Sequence, residues 1–280
     1  MTKVMDELIE LRGLRFHYRD WKAGHPGATN LILLHGYTGH ARSWDAFAEA
    51  MTDRYRVIAF DQRGHGESAW AGSGGYAIGE MTADLEALVT GLRLDRFDLL
   101  GLSMGGMVAM DYAGRRPNAL NSLVIVDIAP EIASDGSTRI QTGQKQADIF
   151  ETREAAFAAM RTANPIAPDE HLRHRVYNNL MAIEDGNFTW RYDRALRDVR
   201  ELKMRTSEEG WASCARIAVP TLVVRGEVSD ILAPEVADRM VRTIPASQLV
   251  EVAGAGHSIP LDKPDGFRNA ARAFLTGRDA

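Results

Sequence analysis

Residues 97–112 read FDLLGLSMGGMVAMDY, and they combine two apolar runs with a cluster of small residues. The first run leads into GLSMGG at 101–106, and the second run follows it directly. This order is typical of a buried strand, a sharp turn and a helix, with Ser103 held in strained geometry above a sheet. Glycines flank the serine because larger side chains would collide across such a turn. The stretch therefore predicts a serine hydroxyl presented for chemistry at the end of a strand.

The rest of the chain alternates similar strand and helix patterns, which predicts an α/β fold. Short apolar runs rich in β-branched residues lie at 31–34, 56–60, 97–101, 122–127, 221–226 and 248–252. Helical patterns lie at 81–94, 107–116 and 233–244. Such alternation is typical of a mostly parallel central sheet flanked by helices, here with about eight strands. The opening segment 7–18 is expected to add antiparallel edge strands.

One long segment interrupts this alternation. Between 134 and 216 the sequence has several helical patterns and no convincing strand. We interpret it as an all-helical cap inserted into an α/β core, which then comprises 1–133 and 217–280. The apolar residues of the segment predict a face that packs over the core, and Trp190 is a candidate to line a substrate pocket there.

The composition limits the class of protein. The 280 residues are 45% hydrophobic with a formal net charge of −5, which suits one elaborated globular domain. The arginines are scattered, so the basic patch typical of nucleic-acid binding is missing. No apolar stretch approaches the roughly 20 residues that cross a bilayer, and the acidic N-terminus is unlike a secretory signal. With a single cysteine, Cys214, we expect a cytoplasmic protein without a membrane or nucleic-acid partner, in an oligomeric state that the sequence leaves open.

A serine hydroxyl is a poor nucleophile until a base takes its proton. Of the eight histidines, His257 in VAGAGHSIPLDKP fits best, because it lies in a glycine-rich turn after the last predicted strand. The imidazole in turn needs a carboxylate that orients it and stabilises its charged form. Asp230, after the strand 221–226, and Asp127, at the end of the strand 122–127, both lie where α/β sheets build their sites. We favour Asp230, because the loop after the later strand suits a partner of His257, and we keep Asp127 as the alternative.

Acyl transfer also needs donors for the oxygen that becomes negatively charged in the transition state. The backbone N–H of Met104, at the start of the helix after Ser103, is one candidate. The stretch LLHGYTGH at 33–40 supplies the other, because the N–H of Tyr37 follows a strand end and can face Ser103. We therefore expect an oxyanion hole formed by Tyr37 and Met104.

Taken in order, HGYTG, DQRGHGES, GLSMGG, RGEVSD and GAGHSIPLDKP resemble the motifs of the α/β-hydrolase fold family. The resemblance covers nearly the whole chain and leaves only the cap outside. It implies that Ser103 is the nucleophile and His257 the base. It also implies that Tyr37 and Met104 supply the oxyanion donors.

The carboxylate expected to orient His257 does not occupy the position that is common in the family. Family members commonly carry it three residues after the glycine that matches Gly226, where this chain has Ser229. The stretch VDIAPE is similar to a branch of the family that includes (acetamidomethylene)succinate amidohydrolase. In that branch the acid matches Asp127, so the resemblance supports either aspartate.

The expected function is that of a serine hydrolase that cleaves a carboxylic ester through an acyl-enzyme on Ser103. Lactones, amides and thioesters are neighbouring substrates. A carbon–carbon bond hydrolase or an enol-lactonase, which GLSMGG also resembles, would use the same triad. A small-molecule receptor of the same fold is the alternative from another class. The expected partner is a small-molecule substrate, and no metal or organic cofactor is implied.

Overall fold

A computed structural model of the chain describes residues 4–25, 27–115, 117–132, 148–203 and 205–277. Its centre is an eight-stranded sheet formed by β1 Val4–Leu11, β2 Leu14–Trp21, β3 Thr29–Leu34, β4 Tyr55–Phe60, β5 Phe97–Leu102, β6 Leu120–Val126, β10 Thr221–Gly226 and β11 Ser247–Val252. The strand order is β1-β2-β4-β3-β5-β6-β10-β11. β2 pairs antiparallel with both β1 and β4, and the remaining pairs are parallel. The predicted sheet and its antiparallel edge are confirmed.

Helices cover both faces of this sheet. They are α1 Asp45–Met51, α2 Ile78–Gly91, α3 Met104–Gly114, α6 Ser207–Arg216, α7 Pro234–Thr243, α8 Ile259–Asp262 and α9 Pro264–Thr276. One apolar cluster joins the sheet to α2, α3, α6 and α7, and a second joins it to α1 and α9. Within β3, Ile32 and Leu34 belong to the first cluster, whereas Leu31 and Leu33 belong to the second. A strand buried on both faces therefore appears in the sequence as an uninterrupted apolar run.

The segment between β6 and α6 forms a small unit of its own, and we keep the name cap for its described residues 148–202. Its elements are β7 Ile149–Phe150, α4 Arg153–Ala163, α5 Asp169–Asn178, β8 Leu180–Ala182 and β9 Phe188–Trp190, with short 3-10 turns at Glu184–Gly186, Arg194–Arg197 and Val199–Leu202. The three strands pair antiparallel in the order β7-β9-β8. The expectation of an all-helical cap is therefore wrong, because strands of two or three residues are too short to show a period.

The packing of α6 bears on the predicted limits of the cap. The predicted boundary at 133/134 lies outside the described residues. At the other end, Trp211 and Cys214 place α6 in the main core cluster, where the helix packs on α3. We infer that the cap ends before α6 rather than at 216. Burial raises the pKa of the Cys214 thiol to about 12, so this cysteine belongs to the core as an uncharged side chain.

The carboxyl ends of the parallel strands meet at one edge of the sheet, and the cap covers this edge. The longest described helix is α2, with 14 residues, and among the described helices none combines the length and apolar character that crossing a membrane requires. The loops after β3, β5, β6, β10 and β11 bring the chemistry-bearing residues together, as expected for an open α/β sheet.

Candidate active site

Ser103 occupies the turn between β5 and α3. Its backbone has φ 53° and ψ −118°, a conformation that non-glycine residues rarely adopt. The turn leaves no room for neighbouring side chains: a Cβ at Gly101 would lie 2.3 Å from the carbonyl oxygen of Gly105. A Cβ at Gly105 would lie 2.5 Å from the carbonyl oxygen of Leu34. The N–H of Ser103 donates to the carbonyl of Val126 at 3.0 Å, so the turn is also fastened to the end of β6.

Asp127 follows the last residue of β6 and is fully buried. Its φ of 51° is one that aspartate tolerates better than most residues, because a short polar side chain can bond locally. The N–H of Asp127 donates to the carbonyl of Val224 at 2.8 Å, and its Oδ1 accepts the N–H of Gly226 at 2.9 Å. Strand β10 therefore fixes both the backbone and the carboxylate of this residue.

His257 lies on the loop between β11 and α8, and it connects the two residues described above. Its Nδ1 is 2.8 Å from Oδ2 of Asp127, and its Nε2 is 3.0 Å from Oγ of Ser103. Because a carboxylate only accepts hydrogen bonds, Nδ1 carries a proton and the lone pair of Nε2 faces the serine hydroxyl. This arrangement is able to take a proton from Ser103 and to stabilise the resulting charge on the ring.

These distances favour Asp127 over Asp230 as the acid. Ser103 and Asp127 engage both ring nitrogens of His257. Because β6 and β10 are paired neighbours, the sequence pattern alone does not say which of the two strand ends lies at the imidazole. Ser229 lies three residues after Gly226, the last residue of β10, and its hydroxyl donates to Oδ2 of Asp127.

Two backbone segments flank the Ser103 hydroxyl. A Cβ added at Gly36, directly before Tyr37, would lie 3.2 Å from Cβ of Ser103. Met104 is the first residue of α3, where N–H groups have no partner within the helix. The hydroxyl of Tyr37 donates to the carbonyl of Leu196, which ties the loop after β3 to the cap. Both candidate oxyanion residues therefore adjoin the serine.

A buried polar network holds the loop after β3. The carboxylate of Asp61 accepts the N–H of Ala41 at 2.5 Å and lies 2.7 Å from Nδ1 of His17. Burial alone raises the pKa of Asp61, but the hydrogen bond to His17 and the nearby His35 outweigh it and lower the pKa to about 2. Burial lowers the pKa of His35 and of His40 to about 4, so both rings are uncharged at neutral pH. The backbone beside the serine is thus anchored by hydrogen bonds to the Asp61 carboxylate and to uncharged imidazole rings.

The cap residue singled out in the sequence has another environment. Trp190 packs edge-on against Phe150, with ring centroids 5.2 Å apart and an interplanar angle of 74°. Both rings belong to the small apolar cluster of the cap. This contact favours packing within the cap over contact with a substrate, and a pocket role for Trp190 stays a prediction.

Sequence reasoning missed two residues beside the site. The sequence marks Ser229 only as a departure from the common acid position, and that departure is the signal that its hydroxyl serves another carboxylate. Arg175 lines a cavity next to the serine turn, but it belongs to the charge-dense stretch HLRHRVY, where nothing in the pattern separates it from solvent-exposed neighbours. Across the described ranges, no group of three histidine, cysteine or acidic side chains is arranged to hold a metal ion.

Comparison with known proteins finds relatives along most of the chain. A family model described as alpha/beta hydrolase fold matches residues 29–264. The 3-hydroxybutyrate-oligomer hydrolase of Cupriavidus necator is 28% identical, over 94% of this chain and 93% of its own length. The sn-1-specific diacylglycerol lipase ABHD11 of Mus musculus is 30% identical, over 88% of this chain and 80% of its own. Among solved structures, E-2-(acetamidomethylene)succinate hydrolase superposes with a TM-score of 0.88 at 23% identity, covering 99% of this chain and 100% of that one.

Proposed function

Because the chain belongs to the α/β-hydrolase fold family, as its motifs predicted, we propose that it is a serine hydrolase that cleaves a carboxylic ester through an acyl-enzyme on Ser103. Its relatives are named hydrolases, esterases and lipases, and the chain is a hydrolase enzyme. The observation that carries the proposal is the unbroken pair of hydrogen bonds from Ser103 through His257 to Asp127, at 3.0 and 2.8 Å.

In the first step, Oγ of Ser103 attacks the ester carbonyl while its proton passes to Nε2 of His257. The ring then carries a positive charge, which the buried carboxylate of Asp127 stabilises through Nδ1. Asp127 is the acid in this proposal, in place of Asp230. Its role is to fix the ring and balance its charge, and it keeps its own charge throughout.

The attacked carbonyl oxygen becomes negatively charged, and the N–H groups of Tyr37 and Met104 are the proposed donors to it. Collapse of this intermediate breaks the ester bond, and the proton on Nε2 of His257 goes to the departing alcohol. Water then gives a proton to the same nitrogen and attacks the acyl group on Ser103. The bond from the acyl carbon to Oγ breaks, the proton passes from Nε2 back to Oγ, and the acid is released. Lactones, amides and thioesters would follow the same steps.

The test uses a fluorophosphonate probe, which labels a serine that a base has activated, together with p-nitrophenyl acetate. We expect the unaltered protein to be labelled and to hydrolyse the ester. Ser103→Ala should abolish labelling and lower kcat at least about 10³-fold. Ser73→Ala is the matched control, because it removes an exposed hydroxyl that donates to Glu201, and it should keep both signals.

The same assay distinguishes a serine hydrolase from a small-molecule receptor of the same fold. Ester turnover and labelling that survive in Ser103→Ala would show that another nucleophile acts. If the unaltered protein shows neither signal, the enzyme proposal fails and a small-molecule receptor of the same fold is favoured.

A further inference from the structure

A cavity of about 220 Å³ lies beside the Ser103 turn, below helix α5 of the cap. Its wall includes Gly36, Leu102 and Ser258, each of which is adjacent in sequence to a residue of the proposed site. Ser103 and His257 are not themselves part of this wall, so the cavity adjoins the chain on either side of them rather than surrounding the hydroxyl. The volume is small beside the roughly 300–1,000 Å³ of typical ligand sites, which suits a short chemical group.

The wall of this cavity is rich in cationic and imidazole side chains, namely those of Arg42, Arg175, Arg268, His171 and His174. Arg42 pairs with Asp6 at 3.2 Å. Arg268 pairs with Asp265 at 2.8 Å. The guanidinium of Arg175 differs from these two, because it makes no hydrogen bond or ion pair with any residue in the described ranges.

The acidic residue that acts electrostatically on Arg175 already accepts hydrogen bonds from two other residues. Asp262 attracts the guanidinium electrostatically, but its Oδ1 accepts the side-chain amide of Asn164 at 2.7 Å. Its Oδ2 accepts the N–H of Gly256 at 3.0 Å. Burial lowers the pKa of Arg175, although the side chain is only half-buried and keeps some contact with water. An anion that completes its hydrogen bonds would stabilise the charged form.

The backbone that carries this side chain is fixed in position. Nε2 of His40 lies 3.0 Å from the carbonyl oxygen of Arg175, and this contact joins α5 to the loop after β3. The main chain of Arg175 is therefore fixed at the cavity wall, and its guanidinium is left available to a ligand. A planar guanidinium suits a carboxylate in particular, because two parallel N–H groups match its two oxygens.

We propose that this cavity binds a free carboxylate of the substrate through Arg175, so that the substrates are esters of short dicarboxylic acids. This inference rests on the proposed function for the ester bond itself. The substrate would place its ester carbonyl at Ser103 and its second carboxylate in the cavity. The same guanidinium could also hold a small free anion, and the experiment separates these two sources.

The kinetic test compares the p-nitrophenyl half-esters of glutaric and adipic acid with the uncharged p-nitrophenyl valerate and hexanoate, which have matched chain lengths. In Arg175→Gln, the ratio of kcat/KM for the charged ester to that for the uncharged ester should fall about tenfold or more. Arg173→Gln is the matched control on the same helix, since its guanidinium lies outside the cavity wall, stacks 4.1 Å from the ring centroid of Phe157 and pairs with Glu154 at 3.1 Å. That control should keep the ratio of the unaltered protein within about twofold.

A binding measurement decides the inference without turnover. Calorimetric titration should show that glutarate binds the unaltered protein and Arg173→Gln, and binds Arg175→Gln at least about tenfold more weakly. Should Arg175→Gln fail to fold, Arg175→Lys keeps the charge without the planar fork and should show an intermediate loss. If glutarate binds through Arg175 but no ester is hydrolysed, the carboxylate site stands and the proposed function falls.

Three results would overturn the inference. One is a ratio of charged to uncharged ester that Arg175→Gln leaves unchanged, while both esters are still hydrolysed. Another is glutarate affinity that does not depend on Arg175. The third is inorganic phosphate that binds as tightly as glutarate through Arg175, which would identify a site for free small anions instead.

Discussion

The hydroxyl of Ser229 donates to the same Asp127 oxygen that faces Nδ1 of His257. Ser229 Oγ in turn accepts the N–H of Ile231 at 3.1 Å, so the loop after β10 holds the serine in place. The carboxylate of Asp127 follows β6, whereas the Ser229 hydroxyl that bonds to it follows the neighbouring strand β10. The alignment of the imidazole therefore depends on two strand ends at once.

Asp127→Asn should lower kcat for p-nitrophenyl acetate by about 10³- to 10⁴-fold. An amide can present an N–H to Nδ1 of His257, which favours the ring tautomer that cannot accept a proton from Ser103. Asp230→Asn serves as the comparison, and its loss should stay below about tenfold. A larger loss for Asp230→Asn than for Asp127→Asn would restore Asp230 as the acid.

Ser229→Ala should lower kcat by about tenfold and leave KM unchanged, because the hydroxyl positions Asp127 without touching substrate. Ser229→Thr keeps a hydroxyl at the same place and should recover most of the activity. Steady-state kinetics of both variants check this. An equal loss in the threonine variant, or a change confined to KM, would argue against a positioning role.

Gly105→Ala should lower the free energy of unfolding by at least about 2 kcal/mol and abolish turnover. The new methyl group would lie 2.5 Å from the carbonyl oxygen of Leu34 and 2.6 Å from that of His35, and neither backbone atom can move away easily. Gly79→Ala in α2 meets nothing within 4 Å and should leave stability unchanged or raise it by about 0.5–1 kcal/mol. Urea unfolding of both variants measures the difference.

Lowering the pH from 6.5 to 4 should lower the free energy of unfolding, because buried histidines resist protonation in the folded chain. Burial lowers the pKa of His35 and His40 to about 4 and that of His65 to about 3, from an ordinary value of 6.5. Between pH 6.5 and 4 the unfolded chain binds protons that the folded chain does not, so the free energy of unfolding falls as the pH falls. Each histidine contributes a slope of up to about 1.4 kcal/mol per pH unit.

Urea unfolding at several pH values between 7.5 and 4.5 measures this slope. His40→Asn removes one of these histidines and should reduce the slope by up to about 1.4 kcal/mol per pH unit. The raised pKa of His17 acts in the opposite direction, because its contribution is present below pH 6.5 and is lost as the pH rises through its folded value. A stability that stays flat between pH 6.5 and 4.5 would contradict the expectation.

The main sheet could be predicted because its inner strands are buried on both faces. In β3, every residue from Leu31 to Leu34 enters one of two cores, so the strand appears as an unbroken apolar run. The strands of the cap give no such signal, since Ile149–Phe150 has only two residues. Helix α6 looked like part of the cap for a related reason, because its packing on α3 is a tertiary contact that no local pattern records.

The residues of the candidate site divide in the same way, into those that nearby sequence predicts and those that only the folded chain reveals. Ser103 was predictable from its glycines and His257 from its place after the last strand, because both depend on nearby sequence. The choice between Asp127 and Asp230 required knowing that β6 and β10 are neighbours. Arg175 could not be found at all, since its helix carries charge on most sides and only the folded chain shows which residue faces the cavity.

Asp262 connects the cap to the loop that carries the proposed base, His257. One oxygen of this side chain accepts the amide of Asn164 from the cap, and the other accepts the N–H of Gly256, the residue before His257. A displacement of Asn164 would therefore be transmitted to the histidine loop through a single carboxylate.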